Sequence, residues 1–162
     1  MCEYCGCQSL ATIRDLTNEH DTVVNLSGAV QTAHHDGNTP GMAEAARAIA
    51  AVLRPHTAVE EAGLFPFMAA ELPGHLAALE AEHRHIEAVL AAAADGTPTD
   101  PAWPQQLLDT LGQLRNHIPE EQDDVFPAAL AQLSAEEWEA VEAVCARVGT
   151  AVPTSATGAS AG

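Results

Sequence analysis

His56-Thr-Ala-Val-Glu60-Glu61-Ala-Gly-Leu-Phe65-Pro66 recurs later in the chain as His117-Ile-Pro-Glu-Glu121-Gln122-Asp-Asp-Val-Phe126-Pro127. Each copy is preceded by a second matched element, Leu16-x-x-Glu19-His20 ahead of the first and Leu79-x-x-Glu82-His83 ahead of the second. The offsets nearly agree: 63 positions separate His20 from His83, and 61 separate His56 from His117. A unit written twice in this way reads as two helical hairpins that superimpose, with equivalent residues at equivalent depth.

The flanking periodicity supports helices throughout. Ile13, Leu16, His20, Val23, Ser27 and Val30 follow steps of three and four and predict a first helix over roughly 9–35. After the breaker Asn38-Thr39-Pro40-Gly41, a second stripe runs Ala45, Ile49, Val52, His56 and Val59, with Glu60 beside it, and Leu72-Pro73-Gly74 closes the region. A third helix, roughly 75–94, carries Leu76, Leu79, His83, Ile86, Glu87 and Leu90 and stops at Asp95-Gly96-Thr97-Pro98. The fourth is expected to start at Asp100-Pro101, an N-cap followed by proline, with Leu107, Leu111, Leu114, His117, Ile118, Glu121 and Val125 on its stripe. Ser134-x-x-Glu137 is a capping box for a short fifth helix ending near Val148. The expected fold is all-α: an up-down-up-down antiparallel four-helix bundle over 9–149 with a short C-terminal fifth helix. It is preceded by a Cys-rich segment, 1–8, and followed by a disordered tail, 150–162, for which no function is expected.

Pro55, Pro66 and Pro119 fall inside these helical stretches. An interior proline removes a backbone hydrogen bond and clashes with the carbonyl four residues earlier. Either the helices end sooner than their stripes, or a kink or π-bulge aims His56 and His117 inward.

Four histidines on buried stripes demand a partner, because an ionisable group inside an apolar face is costly unless paired or bound to a cation. Residues four apart share a helix face, so His56 with Glu60, His83 with Glu87, and His117 with Glu121 each present an imidazole and a carboxylate together. With His20, the candidate ligands are His20, His56, Glu60, His83, Glu87, His117 and Glu121. That set is too large for one tetrahedral zinc and suits two carboxylate-bridged ions of iron, manganese or zinc. Glu19, Glu61 and Glu82 stand next to these positions: each could support a ligand from behind, and Glu61 could replace one, with solvated charge as the default reading. His34, His35, His75 and His85 fall off the stripe and read as surface residues.

Over about residues 9–130, this pattern resembles the hemerythrin-like (HHE cation-binding) family of non-haem di-iron bundles, with similarity to its actinobacterial members. The family pattern is a lone His on the first helix, His-x-x-x-Glu on the second, His-x-x-x-His on the third and His-x-x-x-x-Asp on the fourth. The resemblance implies that His20 and His56 hold one iron, that His83, Glu87 and His117 hold the other, and that Glu60 and Glu121 bridge an oxo- or hydroxo-linked pair. Glu87 stands where the family's oxygen carriers have a fifth histidine, and the fourth-helix carboxylate follows at four rather than five positions. An added carboxylate on the irons favours the ferric state and disfavours reversible oxygen storage. Catalase-like reaction with hydrogen peroxide in oxidative-stress defence is then the expected activity, known from similar actinobacterial proteins; the alternative is an O2-, NO- or iron-binding sensor or storage protein without turnover. A ferritin-like bundle needs Glu-x-x-His on two helices, and only Glu80-x-x-His83 fits.

The chain has 162 residues and a net charge of −17, with six basic side chains besides histidine. Such a surface repels a phosphate backbone or an anionic membrane, so neither nucleic acid nor membrane is expected as a partner. No apolar run is long enough to span a bilayer and no signal-peptide pattern opens the chain, which makes the cytoplasm the expected compartment. Cys2, Cys5 and Cys7 crowd at the start and are a candidate second metal or redox site, with Cys145 as a conceivable fourth ligand. Trp103 and Trp138 are candidates for a dimer contact or for plain core packing.

Overall fold

The computed structural model describes residues 6–152, with side chains from Ser9 onward. Every regular element among them is helical. Helix α1 spans Gly6–His35 and buries Leu16, His20, Val23, Ser27 and Val30 along its stripe. It ends where Gly37 takes φ 66°, a left-handed conformation natural to glycine. There the Gly37 and Asn38 amides bond back to the His34 and Ala33 carbonyls.

Helix α2 starts at once, as the Asn38 side chain accepts the Gly41 amide and Pro40 occupies the first turn. It comprises Thr39–Val59, a π turn Glu60–Leu64 and a last segment Phe65–Met68. Helix α3 is Pro73–Ala91. Helix α4 comprises Trp103–Glu120, a second π turn Glu121–Val125 and Phe126–Gln132. Helix α5, Ala135–Val148, opens on the full capping box of Ser134 and Glu137.

Helices α3 and α4 have bounds other than those the sequence predicts. Helix α3 begins at Pro73 and ends at Ala91, earlier at both ends than expected. Helix α4 begins at Trp103, because Asp100 spends its carboxylate on the Ala102 amide in a preceding turn. The indole of Trp103 is buried and donates to the Val89 carbonyl, fixing where the helix enters the bundle.

None of the three prolines breaks its helix, and Pro66, like Pro127 in the second copy, follows a π turn. Pro66 sits so that its ring opposes the carbonyl of Ala62, and Pro127 opposes that of Asp123; both carbonyls lie within the π turns. The wider turn absorbs the clash, and the Phe65 and Phe126 amides reach five residues back to the Glu60 and Glu121 carbonyls. Pro55 and Pro119 lie inside α2 and α4 without ending them.

Helix α1 packs on α2 and α4, and α3 packs on the same two, closing an antiparallel four-helix ring. Helix α5 lies across α1 and α2 at one end, where Val141 covers Gly63: a Cβ there would stand 3.4 Å from Val141 Cγ1. The interior divides into two apolar clusters. One holds Val23, Leu53, Ile86 and Leu114, the other Leu16, Val59, Leu79 and Val125. Each such buried side chain stabilises the fold by about 1.5–3 kcal/mol. On every helix of the ring a histidine lies between a residue of one cluster and a residue of the other, so the two apolar layers enclose a polar one.

Candidate metal centre

The polar layer is built by the repeat. His20 from α1, His56 and Glu60 from α2, His83 from α3, and His117 and Glu121 from α4 are all buried, and both carboxylates are fully inaccessible. Glu60 and Glu121 are each the first residue of a π turn, and each amide is shared between two carbonyls of the preceding turn. That register keeps the carboxylate below its histidine while the widened turn brings the next phenylalanine inward. Phe65 stacks on His83 and Phe126 on His20, each ring thus covering a histidine from the other half of the repeat.

Every imidazole presents Nε2 to the centre. His56 Nε2 lies 3.0 Å from Glu60 Oε1 and His117 Nε2 2.7 Å from Glu121 Oε1. Across the halves, His20 Nε2 lies 3.0 Å from Glu121 Oε2 and His83 Nε2 3.4 Å from Glu60 Oε2. Every Nδ1 is held from outside. His56 Nδ1 donates to Glu19 at 2.7 Å and His117 Nδ1 to Glu82. His83 Nδ1 donates to Glu61 and His20 Nδ1 to the Gln122 amide oxygen, both at 2.9 Å. Carboxylates only accept, so Nδ1 carries the hydrogen and each Nε2 lone pair is turned inward, the tautomer that a metal ligand needs.

Without a cation this arrangement is poorly compensated. Glu60 Oε1 and Oε2 and Glu121 Oε2 are buried and accept no hydrogen bond of proper geometry, although imidazole nitrogens stand at contact distance. His83 Nε2 and His117 Nε2 face each other at 2.9 Å. Five carboxylates serve four imidazoles (Glu19, Glu60, Glu61, Glu82 and Glu121), and the one arginine among them is Arg84, on the outer face of Glu61.

In the metal-free chain, protons fill this deficit. Desolvation pushes the pKa of His56 down, but the charge of the adjacent Glu60 and the hydrogen bond to Glu19 outweigh it and leave it well above the ordinary value. His83 is raised by Glu121, Glu60 and Glu61 against the same desolvation. His117, likewise desolvated, is carried by Glu121 and Glu82 to about 9. Glu121 is lowered well below the usual carboxylate range, since the close approach of His117, His20 and His83 overcomes its desolvation. Groups arranged to attract protons this strongly attract any small hard cation.

Two sets of atoms lie close enough for an ion each: His20, His56, Glu60 and Glu121 in one, His83, His117 and Glu121 in the other. Glu121 belongs to both, and Glu60 reaches His83 with its second oxygen. The centre therefore brings together six of the seven residues that the sequence nominates. Glu87 is not brought in. It is exposed on α3, outside both sets, at the edge of a cavity of about 10 Å³ among the ligands. Carboxylates do stand close to the cluster, but behind the imidazoles, as Glu19, Glu61 and Glu82.

Those outer residues are what the sequence reading undervalued. Of the two readings open for Glu19, Glu61 and Glu82, the structure has the outer partner and not the default solvated charge, and Gln122 joins them. The signal was present for Glu19 and Glu82, which precede a stripe histidine in both halves. The stretch after α5 also takes part, although no role was expected of the tail: Thr150 donates to Glu19 Oε1 at 2.6 Å. His34, His35 and His85 are exposed and His75 half-buried, all away from both sets. Cys145 is a free, half-buried thiol, whereas Cys2, Cys5 and the side chain of Cys7 lie outside the described residues, as does the tail from residue 153.

A family model described as the hemerythrin HHE cation binding domain matches residues 11–129. No curated protein and no solved structure was found to match the chain.

Proposed function

The chain belongs to the hemerythrin HHE cation-binding family, and from that premise we propose that it is a dinuclear non-haem iron protein of the cytoplasm that disproportionates hydrogen peroxide. One observation carries the reading: four buried imidazoles turn Nε2 toward two buried carboxylates that lack hydrogen-bond donors of proper geometry, and each imidazole is locked from behind through Nδ1. In the proposal, His20 and His56 would hold one ion and His83 and His117 the other, with Glu60 and Glu121 available to both. A bound iron pair supplies Lewis acidity and the redox capacity to convert two peroxides into one O2 and two waters.

The chain's own contribution is position and exclusion. The outer carboxylates fix the imidazole planes, the two apolar layers limit water around the ligands, and the tight cavity admits only small molecules. Ligation by two histidines per ion, with carboxylates inside and behind, enriches negative charge at the irons. That favours the ferric state over reversible O2 carriage. No helix among the described residues is long and apolar enough to cross a membrane, which is compatible with a role in cytoplasmic oxidant defence.

The test is iron analysis with an optical spectrum of protein made in iron-sufficient cells, followed by oxygen evolution on adding peroxide. The expected result is an iron pair per chain, near-ultraviolet oxo-to-iron absorption and sustained oxygen release. An iron pair without turnover would replace the proposal with an O2, NO or iron sensor or store. Iron-free protein that keeps its fold and stability on chelation would overturn the metal reading itself.

A further inference from the structure

The repeat gives the centre an internal two-fold pattern that extends to the residues behind the ligands. Glu19 supports His56 as Glu82 supports His117. Phe126 covers His20 as Phe65 covers His83. The His20–His56 ring pair, with centroids 4.6 Å apart and planes at 55°, matches His83–His117 at 4.7 Å and 59°. The residue after each π-turn glutamate completes the scheme, and here the pattern breaks: His83 Nδ1 donates to the carboxylate of Glu61, but His20 Nδ1 donates to the neutral amide of Gln122, at the same 2.9 Å.

We propose that Gln122 makes the two halves of the centre unequal, so that the half held by His83 and His117 fills first and the half held by His20 and His56 is the exchangeable one. The inference rests on the dinuclear reading above and adds the order of loading within it. The His20–His56 set is the fuller one, with Glu60 and Glu121 both in it, but Glu60 also reaches His83 and Glu121 also reaches His117, so the inner carboxylates are shared and the difference that remains is the charge behind the imidazoles. A carboxylate behind an imidazole makes its Nε2 a more basic ligand and adds an anionic field at the ion, whereas an amide supplies orientation alone. Glu19 and Glu82 give each half one outer carboxylate, Glu82 being the more exposed and screened of the two, so the difference between the halves is Glu61 behind His83 against Gln122 behind His20. Arg84 lies 3.4 Å from Glu61 but is more than half exposed, so water screens most of its opposing effect.

Loading order decides which ion is exchanged in a cell short of metal. An outer hydrogen-bond partner typically changes metal affinity by about 10–100-fold, so the first ion should prefer the His83–His117 half by about tenfold or more. Repulsion between two ions would separate successive affinities even in a symmetric centre. The informative quantity is therefore where a single ion goes.

The experiment uses the full-length protein, stripped of metal and given one equivalent of zinc, with the four imidazoles followed by nitrogen-edited NMR. His83 and His117 should shift first, by about ten to one over His20 and His56. Gln122→Glu should bring the distribution near one to one, and so should Glu61→Gln, by weakening the stronger half. Both substitutions are isosteric, and circular dichroism verifies that the helices persist. An even distribution in the unaltered chain, or a ten-to-one preference that survives Gln122→Glu, would overturn the proposal while leaving a dinuclear centre standing. Failure to take up a second equivalent of zinc or iron would overturn both readings.

Discussion

An imidazole offers two nitrogens, and this bundle gives the two different tasks. Nε2 faces the centre and Nδ1 is anchored to an acceptor behind it, four times over. Because Glu121 approaches His20, His83 and His117, it is the residue that both ions would share. Glu121→Gln keeps its shape but removes the charge and one ligating oxygen, so it should lower the metal content by half or more in elemental analysis. Glu87→Gln, at an exposed position outside both ligand sets, should leave the content unchanged; a loss as large as that of Glu121→Gln would return Glu87 to the ligand set. Behind the ligands, Glu19→Ala or Glu82→Ala should weaken metal binding by about 10–100-fold, measured by competition with a chromophoric chelator. The six converging side chains were legible because a histidine on an apolar stripe is anomalous by itself. Glu87 misled because a spacing of four puts two side chains on one face without making both reach the same depth; the matching pairs on α2 and α4 each have a π turn starting at the carboxylate, and α3 has none. The outer partners were hidden because a glutamate beside a stripe looks the same whether it faces water or an imidazole.

Each π turn inserts one residue into a helix that otherwise keeps its course, and so changes which side chains face inward beyond it. Without the insertion, residues after Glu60 would be rotated by about 100°, carrying Phe65 off His83 and Met68 out of its buried site. Deleting the exposed Ala62 should convert the π turn to ordinary helix. Far-ultraviolet circular dichroism should show helix content nearly unchanged, while stability falls by about 2–4 kcal/mol through lost packing and metal content drops. Full stability and full metal content in the deletion would mean that the turn merely accommodates Pro66. The sequence indicated where the helices lie, through their stripes and caps, but left the prolines undecided. Proline states that a carbonyl four residues back must move; only packing determines whether the chain breaks or widens, and here the buried Glu60 and Phe65 on either side of the turn favour widening. The start of α4 was misplaced for a related reason: Asp100-Pro101 is a sound capping signal by itself, but the buried indole of Trp103 fixes the first turn.

At the scale of the whole molecule the centre is a charge imbalance enclosed by two apolar layers, and its balance should be readable in stability against pH. In the metal-free chain, His117 has its pKa raised from 6.5 to about 9, and His56 and His83 are raised as well. A pKa raised by folding contributes stability that is fully present below the unfolded value, about 6.5, and is lost as pH rises through the folded one. His117 alone corresponds to about 3 kcal/mol at most over that interval. Glu121 has the opposite sign. Its lowered pKa contributes stability that is present above about 4.5, the ordinary value, and is lost as acid protonates it in the fold. Chelated protein should therefore be most stable between about pH 4.5 and 6.5 and should lose melting temperature steadily toward pH 9. Loaded protein should behave otherwise, because an ion needs the imidazoles unprotonated and competes better as protons leave. Calorimetry of chelated and iron-loaded protein at pH 6 and pH 9 checks this: the gap between their melting temperatures should be wider at pH 9. If chelated protein melts at the same temperature at both values, the buried imidazoles are not carrying the charge that the enclosed carboxylates demand.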